Sequence, residues 1–152
     1  GEYSNEPAME ITLPSIHDDS LAPFGKHVLS AIVQYAPYDL RAGWDSQREV
    51  FKQLLIEKLA QYAPDIEAQI TASELLTPAD METEFNIHGG HWHHGEYTLD
   101  QFMMLRPVPG AAQYSTPVSG LYLCGAGSHP GGGVMGLAGR NASTEIINEG
   151  EG

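Results

Sequence analysis

The residues of this chain best suited to contact a ligand lie in one glycine-rich run. Positions 120 to 139 read GLYLCGAGSHPGGGVMGLAG and hold eight of the seventeen glycines together with the only cysteine. Leu121 to Cys124 is a short apolar run typical of a buried strand, and the residues that follow have little side-chain bulk. Backbone there can approach a ligand closely, or the glycines can simply permit a tight turn and close packing. Both interpretations are open at this point.

A helix is predicted directly after these glycines. Apolar side chains recur there at intervals of three and four residues, which predicts a helix from Gly132 or Gly133 to about Asn148. The free N–H groups and positive dipole at a helix N-terminus attract phosphates, carbonyl oxygens and other electron-rich atoms. The pattern therefore favours a ligand site where a strand, a glycine loop and a helix meet.

Two common phosphate-binding loops do not match this run. The P-loop ends in Gly-Lys-Ser/Thr, whereas Gly132 is followed by Gly133 and Val134. The dinucleotide fingerprint begins at Gly125 and Gly127, but its third glycine is replaced by Pro130. This loop is therefore not a self-sufficient dinucleotide site.

A histidine cluster lies upstream, where His88, His91, His93 and His94 fall within seven residues. Their spacing matches no ordered metal motif, and adjacent side chains of an extended segment point to opposite faces. We therefore predict no metal site. These histidines are expected to hydrogen-bond backbone or solvent, although one of them can line a ligand pocket or act as a general acid or base.

Three further polar side chains have open or passive roles. His129, inside the glycine loop, can contact a ligand or cap the turn. Arg106 can pair with a ligand phosphate or with a carboxylate, and the acidity of the chain favours the carboxylate. Cys124 cannot form an internal disulfide because it is alone, and its apolar neighbours predict a buried, inert thiol. Spacing assigns no catalytic residue.

The elements that must position these residues begin with two predicted strands. Residues 9 to 16 alternate between apolar and polar side chains, and residues 28 to 35 are rich in β-formers. A turn-rich link joins the two segments, so an antiparallel pair is expected. Pro37 is expected to stop the second strand.

Helical and extended patterns alternate after this pair. Ser46 and Glu49 form a capping box before an amphipathic helix that Pro64 ends. Alternation over residues 66 to 72 predicts a third strand, and Pro78 opens a short helix to about Phe85. Residues 86 to 119 show no clear period and predict a long functional or packing loop.

Composition restricts the possible function classes. The chain has 152 residues, of which 41% are apolar and 18% charged, as in a globular protein. Its formal charge of −13 disfavours nonspecific attraction to nucleic acid or anionic membrane. No apolar run approaches the roughly 20 residues that span a bilayer, and no signal-peptide pattern is present, so a cytoplasmic location is predicted.

The longer motifs resemble a known family. HGGHWHHGEYTLDQFMMLRP and YSTPVSGLYLCGAGSHPGGGVMGLAGRNAS are together similar to the C-terminal end of phytoene-desaturase-like FAD-dependent oxidoreductases of the amine-oxidase superfamily. SIHDDSLAPFGKHVLSAIVQYAPY and TPADMETEF are similar to the same group, so the resemblance covers most of the chain. The resemblance implies an FAD cofactor and hydride transfer from substrate to flavin.

The resemblance also implies cofactor contacts. It places Gly125 and Ala126 near the ribityl chain and pyrophosphate. It places the backbone N–H groups of Gly133, Val134 and Met135 on the O2 side of the flavin ring.

The fold implied is an α+β or α/β fragment forming one unit over residues 1–152. Residues 1–115 would supply antiparallel substrate-domain strands and the long amphipathic helix, and residues 116–152 a strand, glycine loop and helix of the FAD-binding domain. Members of the group begin with a βαβ fold carrying G-x-G-x-x-G, which this sequence lacks.

This departure leads to two expectations about activity and partners. The chain alone is expected to be inactive and to lose FAD, and to form a homodimer or pair with the missing FAD-binding half. The alternative is a free-standing noncatalytic module whose former cofactor face binds a partner subunit or a second copy.

Overall fold

A computed structural model describes residues 1–150, apart from the Met103 side chain, and has the predicted α+β character. Its regular elements are β1 (Ala8–Thr12), β2 (Ser30–Gln34), α1 (Trp44–Ala60), α2 (Ile66–Gln69), α3 (Pro78–Phe85) and α4 (Leu137–Gly150). The chain divides into two compact units, Gly1–Pro78 and Ala79–Gly152. The assignment of residues 116–152 to an FAD-binding domain stays a prediction.

The predicted antiparallel pair is present as β1 and β2. Ala8 lies opposite Gln34 and Thr12 opposite Ser30. Both strands are shorter than predicted. β1 stops before Pro14, which has no N–H for a ladder and instead opens a 3₁₀ turn. The link back to β2 is fastened by buried Ser15, whose hydroxyl accepts a hydrogen bond from the Val28 N–H at 3.0 Å.

Helix α1 is the predicted amphipathic helix, but the predicted capping box is wrong. The N-cap is Gly43, which has a φ of 77° and no side chain with which to cap. Ser46 already lies in the first turn, and its hydroxyl donates to the carbonyl oxygens of Ala42 at 2.7 Å and Gly43 at 3.1 Å. A serine inside a helix bonds backward to a carbonyl in this way.

The first unit is centred on an aromatic cluster. Phe51 of α1 is 1% exposed, and its ring centroid lies 4.3 Å from that of Tyr3 and 5.8 Å from that of Trp44. The indole Nε1 of Trp44 donates to the carbonyl of Pro37 at 3.0 Å. These contacts hold the N-terminal segment and the start of α1 together.

The third strand predicted over residues 66 to 72 is wrong. Ile66–Gln69 forms the short helix α2, which packs beside α1. Glu67, Ala68 and Gln69 are good helix formers, and no strand in the described residues pairs with this segment. An alternating pattern without a partner strand does not fix extended structure.

The second unit contains α3 from Ala79 onward, a long segment without regular sheet, and α4. Helix α3 has the predicted bounds, and residues 86–119 form the predicted loop, interrupted by single 3₁₀ turns. Tyr114 packs on Ala138 and Ala142 of α4, and the amide Nδ2 of Asn141 donates to the Tyr114 hydroxyl at 2.7 Å. This cluster is the buried apolar core of the unit among the described residues.

The predicted C-terminal strand and helix both differ from expectation. Leu121–Cys124 makes only an isolated bridge, Ser115 opposite Tyr122, and Cys124 is exposed rather than buried. Helix α4 begins at Leu137 and not near Gly133. The reason is the backbone of the intervening glycines: Gly133 and Gly136 have φ values of 135° and 63°, which a right-handed helix does not accept.

None of the helices in residues 1–150 combines the length and the apolar character that a membrane-crossing helix needs.

Candidate functional site

A cleft of about 90 Å³ lies between the glycine-rich loop and the start of α4. We call it the glycine cleft because six of its eleven lining residues are glycines, so that backbone forms most of its wall. Its lining residues are Cys124, Gly125, Ala126, Gly131, Gly132, Gly133, Met135, Gly136, Leu137, Ala138 and Gly139.

Four of the five predicted cofactor residues meet at this cleft. Gly125, Ala126, Gly133 and Met135 line it, whereas Val134 does not and is fully exposed. Their role in cofactor binding remains a prediction.

The start of α4 supplies hydrogen-bond donors to the cleft. The first bond of the helix runs from the Arg140 N–H to the Gly136 carbonyl at 3.0 Å. The N–H groups of Leu137, Ala138 and Gly139 precede this bond and therefore have no acceptor within the helix. All three residues line the cleft. The N-terminus of the helix thus lies four or five residues later than the sequence pattern predicts.

Ser128 closes a turn inside the glycine-rich loop, although it does not itself line the cleft. It is 3% exposed, and both its hydroxyl and its N–H donate to the carbonyl of Gly125, at 2.8 and 3.1 Å. Its own carbonyl accepts from the Gly131 N–H at 2.8 Å. Next to it, the Nδ1 atom of His129 is buried and has no hydrogen-bond partner. The loop conformation is therefore set by Ser128, and the role of His129 stays open.

Tyr97 packs against two of the three consecutive glycines, Gly131 and Gly132. Its hydroxyl accepts a hydrogen bond from the Gly132 N–H at 2.8 Å. A Cβ placed on Gly131 would lie 2.6 Å from that hydroxyl oxygen, and one on Gly132 would lie 3.1 Å from the His93 Nδ1. At these two positions the glycines serve close packing, one of the two interpretations left open by the sequence.

Arg106 lies beneath the Tyr97 ring. Its side chain is fully buried, and the guanidinium carbon is 4.8 Å from the ring centroid. Its Nη2 donates to the carbonyl oxygens of His93, His94 and Gly95. The predicted pairing with a carboxylate is wrong, because backbone carbonyls are the acceptors and Nε and Nη1 have no partner.

His93 is a member of the histidine cluster that lies against Gly132, a residue lining the cleft. Its ring centroid lies 5.1 Å from that of Tyr97. Burial, then the neighbouring His91 and Arg106, lowers the pKa of His93 below its ordinary value, which favours the neutral imidazole. His88 instead pairs with Glu82, with Nδ1 2.9 Å from a carboxylate oxygen. In residues 1–150 no three His, Cys, Asp or Glu side chains are grouped so as to hold a metal ion.

Sequence comparison relates nearly the whole chain to curated oxidoreductases. It is 46% identical over 152 residues to pyridine nucleotide-disulfide oxidoreductase domain-containing protein 2 of Rattus norvegicus, covering 98% of this chain and 26% of that protein. It is 32% identical over 123 residues to a limonene dehydrogenase subunit of Castellaniella defragrans, covering 80% and 22% respectively. It is 29% identical over 140 residues to 4,4'-diapophytoene desaturase of Staphylococcus aureus, covering 88% and 27%.

No protein-family profile and no solved structure matches the chain. The curated relatives nevertheless agree with the resemblance found in its motifs, and the chain spans about a quarter of their length, 26%, 22% and 27% for these three. The chain is therefore homologous to about a quarter of several curated oxidoreductases, among them a limonene dehydrogenase subunit and a 4,4'-diapophytoene desaturase.

Proposed function

We propose that this chain supplies the flavin-facing part of an FAD-dependent oxidoreductase. One observation carries the proposal: Leu137, Ala138 and Gly139, whose N–H groups have no acceptor within α4, line a cleft whose walls are mainly glycine residues. Such a donor set stabilises negative charge and electron-rich oxygen or nitrogen atoms. A flavin ring has such atoms along its pyrimidine edge.

We propose that the residues present hold one part of the cofactor. Gly125 and Ala126 would hold the ribityl and pyrophosphate region, and Gly133 to Met135 would follow the ring. When bound, FAD supplies the hydride acceptor, while this chain orients the ring and keeps donors fixed on one edge of it.

The size of the cleft supports a divided site. Pockets that enclose small molecules measure about 300–1,000 Å³, whereas the glycine cleft measures about 90 Å³. We therefore propose that this chain alone holds FAD weakly and is not catalytically active, and that hydride transfer belongs to the whole flavoprotein.

An FAD titration followed by ¹H–¹⁵N NMR tests this function. We expect amide shifts confined to residues 124–139, at millimolar FAD. Gly125→Val is the blocking variant, because nothing lies within 4 Å of a Cβ at Gly125 and the added side chain would occupy the cleft. We expect its affinity to fall about tenfold, the loss of roughly 1.4 kcal/mol of contact energy.

Gly127→Ala is the matched control, since its Cβ would lie at an ordinary 3.8 Å from the His94 Cβ and Gly127 does not line the cleft. Shifts centred outside the cleft, or equal loss of affinity in both variants, would refute the proposed function. Tight stoichiometric binding of FAD would refute the divided site.

The second candidate is a noncatalytic module that binds a partner subunit or a second copy. It is favoured by apolar side chains exposed beside the cleft: Val134 is fully exposed and Met135 is 68% exposed. Under this function FAD would shift no cleft amide at any concentration, and the same residues would be covered in a protein complex.

A further inference from the structure

Tyr97 holds the glycine cleft in place without being part of its lining. Its hydroxyl accepts the Gly132 N–H at 2.8 Å, and a Cβ on Gly131 would approach the same oxygen to 2.6 Å. Gly131, Gly132 and Gly133 all line the cleft, whereas Tyr97 does not. The tyrosine therefore contacts the back of the segment whose front faces the cleft.

The ring of Tyr97 is itself held from below. The Arg106 guanidinium lies 4.8 Å from the ring centroid and is anchored by the carbonyls of residues 93 to 95. A planar guanidinium attracts the face of an aromatic ring. The chain of contacts thus runs from a buried arginine through one ring to the backbone of Gly132.

The burial of Arg106 is not explained by ion pairing. It is 0% exposed, its acceptors are neutral carbonyls, and its Nε and Nη1 have no partner. A buried charge without a counter-ion is unfavourable for stability. Because no salt bridge accounts for this buried charge, the contact with the Tyr97 ring is the interaction that gives the Arg106 side chain a role.

We propose that Tyr97 is the positioning residue of the glycine cleft, and that Arg106 keeps its ring in the position from which the hydroxyl fixes Gly132. Only the identity of the cleft's ligand rests on the proposed function. The contacts themselves set the spacing between Gly131–Gly133 and the donors of α4, whatever occupies the cleft.

Tyr97→Phe tests the proposal because it removes one oxygen and keeps the ring. We expect the Gly132 amide proton to exchange with solvent about fivefold faster than in the unaltered chain, as for the loss of one hydrogen bond. Tyr122→Phe is the control, since it removes a hydroxyl that bonds Glu149 instead. An unchanged Gly132 exchange rate in Tyr97→Phe, or an equal change in Tyr122→Phe, would overturn the proposal.

Arg106→Lys tests the support of the ring. It keeps the charge and removes the planar fork, so we expect faster Gly132 exchange here as well, with a moved Tyr97 ring-proton signal. If the Gly132 exchange rate and the Tyr97 ring-proton signal are both unchanged in Arg106→Lys, Arg106 does not hold the ring in position.

A final arm separates this inference from the flavin assignment. FAD is titrated into the unaltered chain and into Tyr97→Phe, with NMR shifts of residues 124–139 as the readout. Faster Gly132 exchange in Tyr97→Phe supports the positioning role even if FAD shifts no cleft amide, which would refute only the proposed function. If FAD does shift the cleft amides of the unaltered chain, we expect Tyr97→Phe to bind it several-fold more weakly, and equal affinity would overturn the link between positioning and ligand.

Discussion

His93 is a titratable side chain beside the back of the cleft, and its environment opposes protonation. Burial is the largest cause of its lowered pKa, followed by the charges of His91 and Arg106. Because the folded protein binds this proton less readily than the unfolded chain, its contribution to stability is full above the unfolded pKa of about 6.5. It is lost progressively as pH falls below that value.

We therefore expect the free energy of unfolding of the second unit to decrease between about pH 6.5 and 5, and His93→Gln to flatten part of that dependence. Urea titrations followed by the Trp92 indole NMR signal measure both. A His93 ring that titrates at or above about 6.5 by NMR would contradict the expectation.

Two glycines of the loop should differ in how much an added methyl group destabilises the protein. Gly131→Ala places a Cβ 2.6 Å from the Tyr97 hydroxyl at a φ of 111°, so both overlap and backbone strain oppose it. We expect a loss of about 1–3 kcal/mol in unfolding free energy. Gly125→Ala meets nothing within 4 Å and should change it by less than about 0.5 kcal/mol.

Urea unfolding observed at Trp92 compares the two variants. Equal unfolding free energies for Gly131→Ala and Gly125→Ala would show that the Tyr97 side chain moves to accommodate the methyl group without loss of stability.

Single residues of the cleft were predictable only where the signal is local. The glycine run marks the segment, because small residues between an apolar run and a helical period are visible in sequence, and the family resemblance then singles out Gly125, Ala126 and Gly133 within it. Tyr97 contacts Gly132 across 35 positions, and no period in residues 86–119 singles it out. The acceptors of Arg106 are not predictable for a similar reason. Every residue has a backbone carbonyl, so the sequence does not show which carbonyls accept its hydrogen bonds.

Among the elements, α1 depends on one deeply buried side chain. Phe51 is 1% exposed between Tyr3 and Trp44, whereas its neighbour Val50 is 56% exposed. Phe51→Ala leaves a cavity in the aromatic cluster, so we expect a loss of about 3–5 kcal/mol in the first unit. Val50→Ala should cost less than about 1 kcal/mol, since its side chain is mostly in solvent.

The Trp44 indole NMR signal reports unfolding of this unit as urea is raised. A small loss for Phe51→Ala would mean that the cluster repacks around the missing ring.

The elements also show what periodicity can and cannot specify. Helix α1 is predictable because apolar residues recur at helical spacing over several successive turns. Strands β1 and β2 are predictable because two β-forming segments close in sequence can pair with each other. Residues 66 to 72 alternate as well, yet α2 forms there because a strand needs a partner and a short run of helix formers does not. The start of α4 differs from the prediction because positive φ at Gly133 and Gly136 is a backbone property that apolar spacing does not encode.

For the whole molecule, charge and apolar exposure oppose each other. A formal charge of −13 repels a second copy, while many large apolar side chains remain exposed in both units. Repulsion between exposed charges weakens as the Debye length falls from about 10 Å at 0.1 M salt to 3 Å at 1 M. Apolar contact is not weakened by salt in this way.

We therefore expect the chain to self-associate at micromolar concentration, and to do so more strongly at high salt. Sedimentation velocity at about 0.05 and 0.5 M NaCl measures the effect, which follows from screening of like charges. Val134→Ser removes one exposed apolar group without changing the charge and should weaken association, whereas Val50→Ser on α1 is the control for an exposed valine in the other unit. A monomer at both salt concentrations would rule out self-association through these surfaces. A complex that dissociates in salt would show that complementary charges, rather than exposed apolar side chains, hold the copies together.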